Sequence, residues 1–182
     1  MLLSGAPSPW LLRWRQALRP GATALDLACG SGRHLRHLAA AGMQVTGVDR
    51  DAAALEPLRE LAEIIVADVE AGPWPLAERR FDLVLVTNYL WRPLLPRIAA
   101  AVAPGGWLIY ETFADGQQTI GRPARAEFLL RPGELLEACR GLRVLGYEDG
   151  YEEQAVNPRF VQRVAAVREQ AEPGVYQRYV LG

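Results

Sequence analysis

The chain contains no lysine: all 20 of its basic residues are arginine, so no lysine nucleophile or Schiff base is available. Only two cysteines are present, Cys29 and Cys139. They lie far apart and in segments of different type, which argues against a disulfide or a metal site and for a reducing, cytoplasmic setting. Net charge is nearly absent, at −1, which removes the strong positive field that simple nucleic-acid binding relies on. No stretch approaches the roughly 20 consecutive apolar residues that cross a bilayer. The first residues do not follow the basic–apolar–small order of a secretory signal. Neither a nucleic-acid partner nor a membrane is expected, and the sequence is silent on oligomeric state.

What is present fits one folded unit. The 182 residues are 50% hydrophobic and 23% charged, an ordinary globular balance at a length suited to a single domain. Three regions are expected within 1–182: an N-terminal helix over 8–20, an α/β core over 23–113, and a lid with a terminal hairpin over 114–182. Ser8-Pro9 reads as a helix cap followed by a first helical residue. Apolar strands are expected at Thr23–Ala28, Gln44–Val48, Ile64–Ala67, Phe81–Thr87 and Trp107–Phe113. Helices are expected at Arg33–Ala41, from Asp51 to about Leu61, and from Pro93 to Val102. Strands this apolar suit a parallel sheet covered on both faces, and their alternation with helices makes a doubly wound, Rossmann-like sheet the natural architecture. After the aperiodic stretch 114–131, whose length suits a lid over a pocket, a helix from Pro132-Gly133 to Cys139 is expected. Two strands, Leu142–Tyr147 and Phe160–Val167, then form a terminal hairpin.

The stretch Leu25-Asp26-Leu27-Ala28-Cys29-Gly30-Ser31-Gly32-Arg33-His34 carries the most chemistry. A strand enters a glycine turn that opens a helix, so a ligand can approach bare backbone and free amides. Leu35 stands where a dinucleotide fingerprint has its third glycine. Asp26 is placed to hold a ligand ammonium and would repel a pyrophosphate. Acids recur at the next two strand ends, Asp49 and Asp68, suited to ribose hydroxyls and an adenine amino group respectively. Three acids at successive strand tips converge on the crevice where such sheets bind ligands.

These motifs resemble the class I S-adenosylmethionine-dependent methyltransferases over Ala24–Phe113. Asp26, Gly30 and Gly32 match the first motif, with Ala28 in place of its first glycine. Asp49 with Arg50, and Asp68 with Val69, match the second and third strand ends. Phe81 to Asn88 matches the fourth strand, and Pro104-Gly105-Gly106 the turn before the fifth. The resemblance implies a seven-stranded, mostly parallel sheet with an antiparallel terminal strand, and S-adenosylmethionine as cofactor with S-adenosylhomocysteine as product. Its implied cofactor contacts are Asp26, Ala28, Cys29, Gly30, Gly32, Asp49, Arg50, Asp68, Val69 and Asn88. Phe128 to Leu136 and Leu145 to Gly150 are similar to the small tellurite-resistance methyltransferases, although the His-Arg pair of that family is missing.

For the acceptor, the expectation is a small molecule, with a chalcogen oxyanion or a thiol as the class implied by that last similarity. Arg92, Arg159 or Arg163 would then hold an anion. Tyr89 and Arg92 are candidates to orient the acceptor, against packing and helix-start roles. Glu111 is a candidate base or orienting carboxylate, against an ordinary strand end. Two alternatives stay open: a methyltransferase acting on RNA or protein through an Arg-rich first helix, and a cofactor-binding protein without turnover.

Overall fold

The computed structural model describes residues 5–153, 157–170 and 176–181. Its strands are β1 (Thr23–Leu27), β2 (Gln44–Asp49), β3 (Glu63–Val66), β4 (Phe81–Thr87), β5 (Val102–Phe113), β6 (Arg143–Glu152) and β7 (Arg159–Val167). They form one sheet in the order β3-β2-β1-β4-β5-β7-β6. The first five pair in parallel, and β7 enters antiparallel between β5 and β6. Strand order reverses between β1 and β4, so the crevice for a ligand opens over the tips of those strands.

Each strand serves two cores because successive side chains alternate faces. On β4, Leu83 and Leu85 pack with Trp10, Leu11, Trp14 and Leu35. Val84 and Val86 pack on the opposite face with Leu94, Ile98, Tyr110 and Leu135. The first face is covered by α1 (Pro9–Arg13), α2 (Arg33–Ala40) and α3 (Ala52–Leu55), the second by α4 (Leu95–Ala100) and α5 (Glu134–Ala138). Ser8 Oγ accepts from the Trp10 and Leu11 amides, as its cap position predicts.

Several boundaries differ from expectation. The helix after Asp51 ends at Leu55 and tightens into a 3-10 turn over Glu56–Leu58, because Pro57 has no amide to continue the α-helical ladder. The helix expected from Pro93 begins as a 3-10 turn, Arg92–Leu94, and α4 stops at Ala100. Val102 already belongs to β5, which pairs irregularly with β4 across its glycines. β3, expected to be buried on both faces, is the edge of the sheet, with Val66 44% exposed. An apolar run of four residues looks alike in a central and an edge strand. The stretch 114–131 holds two 3-10 turns, Gln117–Thr119 and Ala126–Phe128. The middle of the β6–β7 connection, residues 154–156, lies outside the described residues.

Candidate functional site

The glycine turn after β1 is shaped by three residues with positive φ: Ala28 at 55°, Gly30 at 53° and Gly32 at 76°. At Gly32 a Cβ would stand 2.4 Å from Leu58 Cδ1, so only glycine lets α2 start this close to the neighbouring turn. At Gly30 an added Cβ would meet nothing within 4 Å. Its flank is open, without a packing contact. Ala28 bears a side chain in a conformation that costs an L-residue roughly 1–2 kcal/mol. Strain of that kind persists where surroundings enforce it, commonly at binding sites.

Beside this turn, at the tips of β1, β2 and β3, lies a cavity of about 150 Å³ whose walls include Ala28, Asp49, Arg50, Asp68, Val69 and Tyr89. The tips bring these residues together because β1 and β2 run in register, Leu27 opposite Val48, and β2 and β3 likewise, Asp49 opposite Val66. Asp49 accepts from the Gly30 amide through Oδ2 at 2.8 Å and from the Asp51 amide through Oδ1 at 3.0 Å. One lone pair on each oxygen remains for a diol. Asp68 is exposed at the cavity mouth. Its Oδ1 accepts from the Glu70 and Ala71 amides, bonds that hold its carboxyl below the ordinary range. Tyr89 sits opposite. Burial, with Glu70 and Asp68 nearby, pushes its phenol up.

The remaining residues expected at the site lie around the cavity, not on its wall. Asp26 is buried beneath the turn, and its Oδ2 has no hydrogen-bond partner among the described residues. Desolvation pushes it up to about 7, with the Leu35 amide and Arg33 pulling the other way. A buried carboxylate short of a partner suits a nearby cation. Cys29 is buried, and desolvation raises its thiol well above the ordinary value. It therefore presents backbone, not a nucleophile. Asn88 follows β4 at φ 53°, exposed, and donates its amide to the Glu111 carbonyl at 3.0 Å.

The acceptor candidates separate. All three nitrogens of Arg92 are occupied: Nε and Nη2 bind Glu134 at 2.6 and 2.9 Å, and Nη1 and Nη2 reach the Glu127 and Leu129 carbonyls at 2.8 and 2.7 Å. Burial raises the Glu134 carboxyl, but bonds from Arg92 and the Arg131 amide hold it low. Arg92 thus clamps the 126–134 segment to the start of α4, a structural role beside the acceptor-orienting one expected of it. Glu111 is 1% exposed at the tip of β5, with Oε2 unpartnered among the described residues.

One residue gave no signal in the sequence. His34, the last residue of the glycine-turn stretch quoted above, is buried. Its Nε2 accepts from the Ser8 amide at 3.1 Å, and its Nδ1 lies 3.3 Å from Thr87 Oγ1. Desolvation lowers it to about 3, so it is neutral with the proton on Nδ1. It ties the N-terminal segment to the β4 tip. Its partners lie 26 and 53 positions away, beyond any local pattern.

A parallel sheet with an antiparallel seventh strand, a strained glycine turn after β1, and acids at the tips of β2 and β3 define the class I S-adenosylmethionine-dependent methyltransferase fold and domain. Residues 24–106 match the model of a family described as methyltransferase domain, and S-adenosylmethionine is the cofactor that goes with it. Among curated proteins, the chain is 34% identical over 150 residues to trans-aconitate 2-methyltransferase of Paracidovorax citrulli, covering 76% of this chain and 58% of that protein. It is 41% identical over 106 residues to ribosomal protein L11 methyltransferase of Thiobacillus denitrificans, covering 54% and 35%. The chain therefore spans less than two thirds of either relative. Among solved structures, TehB from Haemophilus influenzae superposes with a TM-score of 0.72 at 19% identity, over 90% of this chain and 63% of that one; at that identity the likeness is one of fold.

The residues fit the cofactor on three counts: the open flank of Gly30, the free lone pairs of Asp49, and the partnerless Oδ2 of Asp26.

Proposed function

We propose that this chain transfers a methyl group from S-adenosylmethionine to a small-molecule acceptor. The observation that supports it best is the convergence of Ala28, Asp49, Arg50, Asp68 and Val69 on one cavity beside the glycine turn. In this reading Asp49 binds the ribose hydroxyls, and Asp68 and Val69 border the adenine. Gly30 and Cys29 present backbone, and Asp26 supports the ammonium end from below the turn. Asn88 and Tyr89 flank the path toward β4. The bound cofactor supplies a methyl on a sulfonium, already primed for displacement. The chain's own work is to orient the acceptor and exclude water.

The small-molecule class is supported by the relative matching most of this chain, whose name specifies trans-aconitate. The ribosomal-protein relative is matched over only 35% of its length, too little to carry its acceptor across. A chalcogen oxyanion or thiol falls within the small-molecule class. However, Arg159 and Arg163 are already paired with Glu152 and Glu148 at 2.8 and 2.7 Å, so an oxyanion must compete with two carboxylates.

Calorimetry tests the cofactor reading. The intact protein is expected to bind S-adenosylhomocysteine, and Asp49→Ala to weaken binding by about 10–100-fold, the loss of one or two charge-assisted hydrogen bonds. Absence of binding by the unaltered protein sinks the proposal.

A further inference from the structure

A group of charged side chains at the same end of the sheet takes no part in the cofactor cavity. Glu111 stands opposite Thr87 on β4 and opposite Arg163 on β7. Its backbone carbonyl accepts from Asn88, and Thr87 touches His34 just past the glycine turn. The group therefore adjoins the cofactor turn on the β5 side. A cleft of about 460 Å³, lined in part by Glu148, Tyr151, Glu152, Val161 and Arg163, opens beside it.

The two guanidiniums are fixed from behind. Arg163 Nε binds Glu148 at 2.7 Å and its Nη1 binds Glu152 at 3.0 Å, while Arg159 Nε binds Glu152 at 2.8 Å. The Arg163 guanidinium also lies 5.3 Å from the centre of the Trp10 ring. Both then face Glu111 Oε2 across gaps of 3.6 Å from Arg159 Nη2 and 3.9 Å from Arg163 Nη1. These distances are too long for hydrogen bonds. Among the described residues Oε2 has two guanidiniums near it but no hydrogen bond, although buried polar atoms almost always find a partner.

The chemistry that completes this arrangement is specific. The missing group must donate to Oε2 and accept from an arginine N–H at once. An ammonium cannot accept, and two guanidiniums repel it. A carboxylate or other full anion cannot donate, and three glutamates oppose it. A hydroxyl has one donor and two lone pairs and does both while remaining neutral. We infer that Glu111, Arg159 and Arg163 form a hydroxyl-recognition site for the methyl acceptor. The inference rests on the methyltransferase reading and narrows its substrate class to hydroxylated small molecules. Glu111 is a binding residue in this account, and no proton transfer through it is required.

The experiment uses intact protein saturated with S-adenosylhomocysteine. It is titrated calorimetrically with matched pairs of 2-hydroxy acids, phenols and polyols against counterparts lacking one hydroxyl. At least one hydroxylated probe is expected to bind about 100-fold or more tighter than its counterpart, since a site built around a hydroxyl rejects the analogue without it. Glu111→Gln should bring that pair within about 10-fold of each other, with S-adenosylhomocysteine affinity unchanged. A purely structural role for Glu111 would weaken both members equally and leave the ratio intact, which overturns the inference. So does the absence of discrimination in every pair, the result expected if water alone fills the gap. If Glu111→Gln does not fold, Arg159→Met carries the same expectation. Failure of the unaltered protein to bind S-adenosylhomocysteine refutes the cofactor reading first, and this inference with it.

Discussion

Asp26 and His34 sit on either side of the same turn and titrate in opposite senses. Burial raises Asp26 to about 7 from 3.8, so the folded chain keeps a proton that the unfolded chain releases, and this group's contribution falls as pH rises between those values. Burial lowers His34 to about 3 from 6.5, so the unfolded chain takes up a proton that the folded chain does not, and its contribution rises with pH over that interval. Between about pH 4 and 6.5 the two slopes oppose and largely cancel. Asp26→Asn removes one side of the balance. In urea titrations the free variant is expected to gain stability by about 1 kcal/mol per pH unit from pH 4 to 6, relative to the unaltered protein. Parallel pH profiles for the two proteins would show that Asp26 is ionised in the fold from the start.

Among the elements, the 126–134 segment depends most on one side chain. It holds one 3-10 turn, Ala126–Phe128, before α5 begins at Glu134, and Arg92 gathers it through a carboxylate and two carbonyls. Arg92→Leu leaves the mostly buried Glu134 with only the Arg131 guanidinium at 3.9 Å and is expected to cost about 2–4 kcal/mol. Amide exchange should quicken over 126–134 while β1 and β2 stay protected. The clamp was not legible in the sequence because Arg92 and Glu134 are 42 positions apart. Strands β1, β2, β4 and β5 were legible because each contains a short, mostly apolar run. Helix ends were legible where a cap marked them, as at Ser8, and misread at Pro57. The cofactor side of the site is built from strand tips in sequence order and could be read directly. The acceptor side is built from β5, β7 and the N-terminal segment, which meet only in the folded chain. Glu111 was therefore singled out as a candidate, while its two arginines were read as open to an anion.

For the whole molecule, both cores share the sheet, so a ligand gripping the tips of β1, β2 and β3 is coupled to global unfolding. S-adenosylhomocysteine at 100 times its dissociation constant is expected to add about 2.7 kcal/mol, which raises the melting temperature by about 5–10 °C for a chain of this size. Adenosine, which lacks the amino-acid end, should give a smaller shift. A melting curve indifferent to both compounds contradicts the cofactor assignment. The glutamate–arginine group places a second demand on the whole chain, because it joins α1, β5, β6 and β7 through Arg13, Glu111, Glu148 and Arg163.

The placement of β7 between β5 and β6 also sets an order of events. β6 is made first but, among the described residues, pairs in the sheet with β7 alone, so it has no seat in the sheet until the later strand has left the ribosome. Meanwhile β5 presents an open edge beside Trp107 and Ile109. A nascent chain halted before Arg159 thus carries two unsatisfied strand edges at once, and that interval is when the protein is most exposed to aggregation or to chaperone capture.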